Sequence, residues 1–223
     1  MSTSLGLTPE VVAYLGEVNP PEHPALTRCR EETAKLPNAQ MQISPEQGAF
    51  MQIIARMTKA QRAFEIGVFT GYSSLATMLA MRDIHGDQAH LLACDVSEEY
   101  TSKARHYWKE AGIAHLIDLQ IRPANETLDQ RLAAGEEGKY DLGFVDADKT
   151  SYDGYYERGL KLLKRGGVML FDNVLWSGRV AHPENMTPDT AALRELAFKI
   201  KNDPRVHAAM TSIGDGVLMC IKK

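Results

Sequence analysis

Phe64-Glu65-Ile66-Gly67-Val68-Phe69-Thr70-Gly71-Tyr72-Ser73-Ser74 is the stretch from which the rest of the chain can be read. An apolar run, Ala63 to Ile66, leads into it, and a helical pattern, Ser74-Leu75-Ala76-Thr77-Met78-Leu79-Ala80-Met81, leads out. This is a strand, a glycine turn and a helix N-terminus. Gly67 and Gly71 let the backbone turn tightly and let a ligand come close. The free N–H groups of the helix start point into the same space, which places a nucleotide-type site at the C-terminal edge of a sheet. The spacing is Glu-x-Gly-x-x-x-Gly, whereas Gly-x-Gly-x-x-Gly is the pattern that brings a helix to a pyrophosphate. Glu65 replaces the first glycine of that fingerprint. A carboxylate there repels phosphate and favours a cationic ligand. S-adenosylmethionine fits, having an adenosine end, no phosphate, an ammonium and a sulfonium. An ordinary β–α turn of small residues would look the same in isolation, so the neighbouring elements decide.

Those neighbours repeat the strand-then-helix pattern. Strand Ala89 to Cys94 ends at Asp95, and Ser97-Glu98-Glu99 caps a helix running to Ala111. Strand Leu116 to Ile121 precedes a helix from Asn125 to about Ala134. Strand Tyr140 to Val145 ends in Asp146-Ala147-Asp148, and a helix follows from Tyr152 to Leu163, closed by Gly166-Gly167. Strand Val168 to Phe171 ends in Asp172-Asn173. Successive strand–helix units of this kind predict an α/β fold with a mostly parallel, doubly wound sheet. The C-terminus differs. A helix capped by Thr187-Pro188-Asp189 is followed by strand Val206 to Ile213, a Gly214-Asp215-Gly216 turn and strand Val217 to Ile221, an antiparallel hairpin at the sheet edge. Seven strands in all are expected, in a Rossmann-like arrangement.

Upstream, helices start at Thr8-Pro9-Glu10, near Pro24 (running to about Leu36) and at Ser44-Pro45-Glu46-Gln47, the last spaced as a capping box. We expect residues 1–60 to cover the core and the dimer or substrate side. Residues 61–223 form the α/β core of a single domain.

Composition bounds the partners. The 223 residues are 44% apolar and 24% charged, with a net charge of −4, ordinary for a globular protein. Nothing marks a nucleic-acid or anionic-membrane surface. No apolar run reaches the roughly 20 residues that span a bilayer. The start of the chain lacks the basic and apolar regions of a secretory signal. Cys29, Cys94 and Cys220 read as free thiols in a reducing cytoplasm. The seven histidines show no metal-binding spacing, and there is no nucleophile elbow or P-loop.

Two groups of residues carry chemistry. Asp95, beside the glycine turn, can accept the hydroxyls of a ribose, and Pro123-Ala124 leaves room for a flat ring. Asp146, Asp172 and Asn173 end neighbouring strands. They offer hard oxygen ligands suited to Mg²⁺, Mn²⁺ or Ca²⁺, with places left for a substrate having two adjacent oxygens. Lys149 starts the next helix. Beside a bound cation, like-charge repulsion would favour its neutral form, ready to act as general base on a hydroxyl. Trp176 could stack on a planar substrate, or serve packing alone.

The runs FEIGVFTGYSS (64–74), ACDVSEEYTSKARHYWKEAG (93–112), FVDADKTSYDGYYE (144–157) and DNVLWSGRV (172–180) resemble the cation-dependent O-methyltransferases of the caffeoyl-CoA and catechol type, particularly bacterial members. The resemblance implies the class I methyltransferase fold, with S-adenosylmethionine held by Met41, Ile43, Glu65, Gly67, Val68, Ser73, Asp95, Ala124 and Asp146. It implies a metal at Asp146, Asp172 and Asn173. Catalysis falls to Lys149 with Asp146, and the aromatic substrate meets Asp146, Lys149, Trp176 and Ser177. A homodimer is implied as well. Ser177 stands where plant enzymes carry an asparagine near the substrate. The expected reaction is methyl transfer to one hydroxyl of a catechol, caffeoyl or flavonoid acceptor. Two rivals stay open: a cofactor-binding module without catalysis, and a methyltransferase acting on nucleic acid or another acceptor. The tetrad Asp172-Asn173-Val174-Leu175 lacks the Pro-Pro-aromatic sequence expected for base-amine methylation.

Overall fold

The structure is a computed structural model and describes residue 4 and residues 6–223. Three helices come first: α1 (Pro9–Val18), α2 (Pro24–Thr33) and α3 (Pro45–Met57). Each opens with proline in its first turn, where the ring costs no hydrogen bond. Alternating elements follow: β1 (Arg62–Ile66), α4 (Tyr72–His85), β2 (His90–Asp95), α5 (Glu98–Glu110), β3 (Ile117–Ile121), α6 (Ala124–Ala133), β4 (Tyr140–Val145), α7 (Tyr152–Leu162), β5 (Leu163–Phe171), α8 (Pro188–Asn202), β6 (Val206–Thr211) and β7 (Val217–Lys222).

The seven strands form one sheet in the order β3-β2-β1-β4-β5-β7-β6. Strands β1 to β5 run parallel, and the β6–β7 hairpin joins antiparallel, with β7 against β5. The order reverses between β1 and β4, so a crevice opens at the carboxyl ends of those strands. Both faces of the sheet are covered, because strand residues alternate between two apolar cores. Ala63, Leu91, Ala93 and Leu170 pack with α2, α3, α4 and α5 residues such as Leu26, Met51, Leu75 and Trp108. Phe64, Leu92, Cys94 and Phe171 pack with Leu128, Tyr156, Leu193 and Leu196 of α6, α7 and α8. Burial on both faces is what near-continuous apolar strands of a parallel sheet require.

Three local expectations need correction. Helix α2 stops at Thr33, and Leu36 lies in the turn beyond it. Gly166-Gly167 do not close α7; they lie within β5, which begins at Leu163. Leu163 pairs with Tyr140 and Val168 with Leu142, so residues 164–167 bulge out between them. The capping box at α3 is half made: Ser44 Oγ accepts from the Gln47 N–H at 3.3 Å, but the Gln47 side chain does not turn back. The three cysteines are free, as expected, and all three are buried. No helix among the described residues is long and apolar enough to cross a membrane.

Candidate active site

A cavity of about 810 Å³ occupies the crevice at the β1/β4 reversal. Of the residues singled out in the sequence, Met41, Ile43, Gly67, Val68, Ser73, Asp95, Ala124, Asp146, Lys149, Asp172, Asn173, Trp176 and Ser177 all line it. Glu65 does not: it is 1% exposed and sits behind the wall.

At one end the glycine turn is held from two sides. Gly67 has φ +91°, and a Cβ there would lie 1.8 Å from the Asp146 backbone oxygen. Only glycine lets the end of β1 press against the end of β4. From the other side Asp95 Oδ2 accepts the N–H groups of Val68 (2.8 Å) and Phe69 (2.9 Å), while Oδ1 accepts that of Ser97 (2.8 Å). A carboxylate has about four acceptor sites, so Asp95 organises the turn with three of them and keeps roughly one for a ligand hydroxyl. Glu65 receives the Ser73 hydroxyl at 2.5 Å. Burial, reinforced by the charges of Asp146 and Asp95, pushes its carboxyl up to about 8. Phe69 packs on Tyr100 with ring centroids 4.7 Å apart, and the Tyr100 hydroxyl accepts from Asn38 Nδ2 at 2.7 Å. This ties the segment carrying Met41 and Ile43 across the cavity to α5.

At the other end Val145 is level with Phe171, so Asp146 and Asp172 leave adjacent strands side by side. Asn173 follows with φ 56°, in the left-handed region. Lys149, 7% exposed, directs Nζ to Asp146 Oδ1 (3.0 Å), Asn173 Oδ1 (2.7 Å) and the Tyr152 hydroxyl (2.7 Å). Tyr152 donates in turn to the backbone oxygens of Asp172 (3.1 Å) or Val145 (3.3 Å), which leaves a lone pair facing the lysine. Asp172 Oδ1 accepts the Asn173 N–H at 2.7 Å. Burial and the nearby Asp146 charge raise the Asp172 carboxyl to about 7. Trp176 lies between cations, 5.6 Å from Lys149 Nζ and 5.1 Å from the Arg179 guanidinium.

The sequence reading missed the parts played by two side chains, one buried beneath the cavity and one lining it. Tyr152 was read only as a helix start; it is the first residue of α7, fully buried, while Lys149 lies in the short turn just before that helix rather than starting it. Gln47 was assigned to a local cap; it is 1% exposed and faces Asp172. Among the described residues no three His, Cys, Asp or Glu side chains form a metal-binding group. Any cation site here therefore depends on the amide oxygen of Asn173 beside two carboxylates.

The family model described as O-methyltransferase matches residues 16–223. A probable caffeoyl-CoA O-methyltransferase 2 of Dictyostelium discoideum is 46% identical over 178 residues, which is 79% of this chain and 75% of that protein. Caffeoyl-CoA O-methyltransferase 1 of Eucalyptus globulus is 38% identical over 214 residues, 91% of this chain and 83% of that one. The solved structure of an O-methyltransferase from Bacillus cereus in complex with SAH has a TM-score of 0.86 at 27% identity, covering 96% of this chain and 97% of that chain.

Proposed function

The chain belongs to the O-methyltransferase family, and from that we propose that it methylates one hydroxyl of a vicinal-dihydroxy aromatic, assisted by a divalent cation. It is a methyltransferase that uses S-adenosylmethionine, of which SAH is the demethylated product. Gly67, Val68, Ser73, Asp95, Ala124, Met41 and Ile43 would hold that donor in the end of the cavity they line. S-adenosylmethionine supplies a methyl group on a positively charged sulfur.

The observation that carries the metal reading is the Lys149 ammonium lodged between the oxygens of Asp146 and Asn173. A positive charge already sits against hard oxygen donors at that point. The donor set also fits a cation electrostatically. Asp172 is pushed up to about 7 by burial and by Asp146, and added positive charge would relieve both effects. Asp146, Asp172 and Asn173 would hold the ion, Mg²⁺ suiting an all-oxygen set. When bound, such an ion supplies charge that favours proton loss from an adjacent hydroxyl.

The remaining steps belong to the protein. A phenol ordinarily loses its proton near pH 10, so a base at the cavity floor matters at neutral pH. Released from Asp146 and Asn173, the Lys149 nitrogen keeps the Tyr152 hydroxyl at 2.7 Å as its anchor. As a neutral amine it can take the substrate proton. Trp176 and Ser177 border the acceptor end and would orient the ring. Holding oxygen and methyl carbon in line supplies most of the acceleration. We further propose a homodimer acting on a small aromatic molecule.

The test is product formation from S-adenosylmethionine and caffeic acid, with Mg²⁺ and then with EDTA. Methylated product is expected with Mg²⁺ and should fall at least a hundredfold, on the order of magnitude for loss of such a group, when EDTA is present. Equal rates in EDTA would sink the metal role while leaving methyl transfer in place.

A further inference from the structure

Gln47 is the third residue of α3, where a glutamine ordinarily turns back to the N-cap N–H. Here it gives up that local partner. The Ser44 hydroxyl makes its half of the cap, and the Gln47 side chain runs instead into the cavity. It is 1% exposed, and its Nε2 is buried with no hydrogen-bond partner among the described residues. Buried donors are rarely left unpaired, and an exception points to a group still to arrive or to tighten. The hairpin turn between β6 and β7 is shaped around this side chain: at Gly214, φ +59°, a Cβ would lie 2.1 Å from Gln47 Oε1. The amide therefore has little freedom to swing away. Its N–H side faces the Asp172 carboxyl, which is 2% exposed. Asp172 gives Oδ1 to the Asn173 N–H, and among the described residues no side chain within hydrogen-bond distance holds the carboxyl in rotation.

We infer that Gln47 is a positioning residue for Asp172, fixing the rotation of that carboxyl and so setting the affinity of the site for a divalent cation. The inference rests on the metal reading above. It connects α3, outside the β–α repeats, to the sheet edge where the chemistry occurs. A side chain that orients a ligating carboxylate is worth roughly 10–100-fold in metal affinity. The S-adenosylmethionine end of the cavity is lined by other residues and gains nothing from this contact.

The experiment is calorimetric titration of Mn²⁺, and separately of S-adenosylmethionine, into the full chain. Wild type is compared with Gln47→Met, which keeps the bulk and removes the donor. It is also compared with Gln47→Asn, which keeps the amide and shortens its reach. Both variants should bind Mn²⁺ about tenfold more weakly or worse, with S-adenosylmethionine affinity unchanged within about twofold. The Asn variant keeps the test open should the Met variant fold poorly. Wild-type Mn²⁺ affinity in both variants would overturn the inference while leaving the metal reading intact. Parallel loss of both ligands would overturn it too, marking a general disturbance of the cavity. Absence of Mn²⁺ binding by the wild-type chain would instead defeat the metal reading itself, and the role of Gln47 with it.

Discussion

Glu65 carries a carboxyl on a strand buried on both faces, between β2 and β4. Among the described residues its one side-chain partner is the Ser73 hydroxyl, which cannot offset burial, so the carboxyl rises from 4.5 to about 8. The folded value lies above the unfolded one. The stability this group contributes is therefore fully present below pH 4.5 and lost as pH rises through about 8. Glu65→Gln removes the titration. In urea unfolding of the ligand-free chain, the variant should gain on wild type between pH 5 and pH 9 by on the order of 2–4 kcal/mol. A gap that stays constant across that range would mean the carboxyl titrates normally. The same carboxyl would ionise beside an ammonium ligand, acting as a counter-charge through the cavity wall rather than as the direct contact expected from the sequence. The sequence made Glu65 conspicuous but not its depth, because spacing alone does not say which strands flank β1. For the two aspartates, position was legible. Asp146 and Asp172 end apolar runs, and strand ends are where a sheet of this type binds ligands. Gln47 was not legible, since its role depends on how α3 docks against Asp172 and Gly214 rather than on neighbours in the chain.

The element that shapes the acceptor end is the loop after β5. Asn173, Trp176, Ser177 and Gly178 all have positive φ, between 49° and 81°. Non-glycine residues there cost of order 1 kcal/mol each and persist only where the surroundings hold them. The hairpin turn supplies that hold. Val174 N–H donates to Gly216 O (3.1 Å), Leu175 N–H to Asp215 O (2.9 Å) and Ser177 N–H to Asp215 Oδ1 (2.6 Å). Asp215→Ala deletes the side-chain part of this clamp. The expected result is a rise of about tenfold in KM for the aromatic acceptor, since a misplacement of roughly 1 Å near the chemistry is costly. Affinity for S-adenosylmethionine, proposed to bind at the far end, should stay within about twofold. Steady-state kinetics with each substrate varied in turn check this, and an unchanged acceptor KM would show that the loop holds without the carboxylate. Most elements could be foreseen because caps and turns punctuate the apolar runs. The early start of β5 could not. Gly166-Gly167 read as a stop, whereas Leu163 pairs with Tyr140 and the glycines sit in a bulge beside the Lys164–Asp141 ion pair.

At the scale of the molecule, the two apolar cores account for α2 to α8, but α1 contributes no buried residue to either. A helix of 10 residues is marginal in water without packing. Val12 and Leu15 are half-buried, but three other apolar side chains face outward, with Val11 43%, Tyr14 63% and Val18 54% exposed. On α3, against which α1 rests, Ile53 is 54% and Met57 74% exposed. These are the residues that a second copy of the chain would cover, and the homodimer proposed above would give α1 the packing its own chain does not. Light scattering after gel filtration at about 10 µM should then give a mass near twice 24.7 kDa. Tyr14→Glu, which places a charge on the most exposed face of α1, should shift that mass toward 24.7 kDa. The cavity shares no lining residue with α1, so the variant should keep its affinity for S-adenosylmethionine within about twofold if each subunit binds the donor alone. A wild-type mass of one chain would sink the dimer. A Tyr14→Glu mass of two chains would move the interface away from α1, toward the outer strand β6, whose Met210 is 40% exposed.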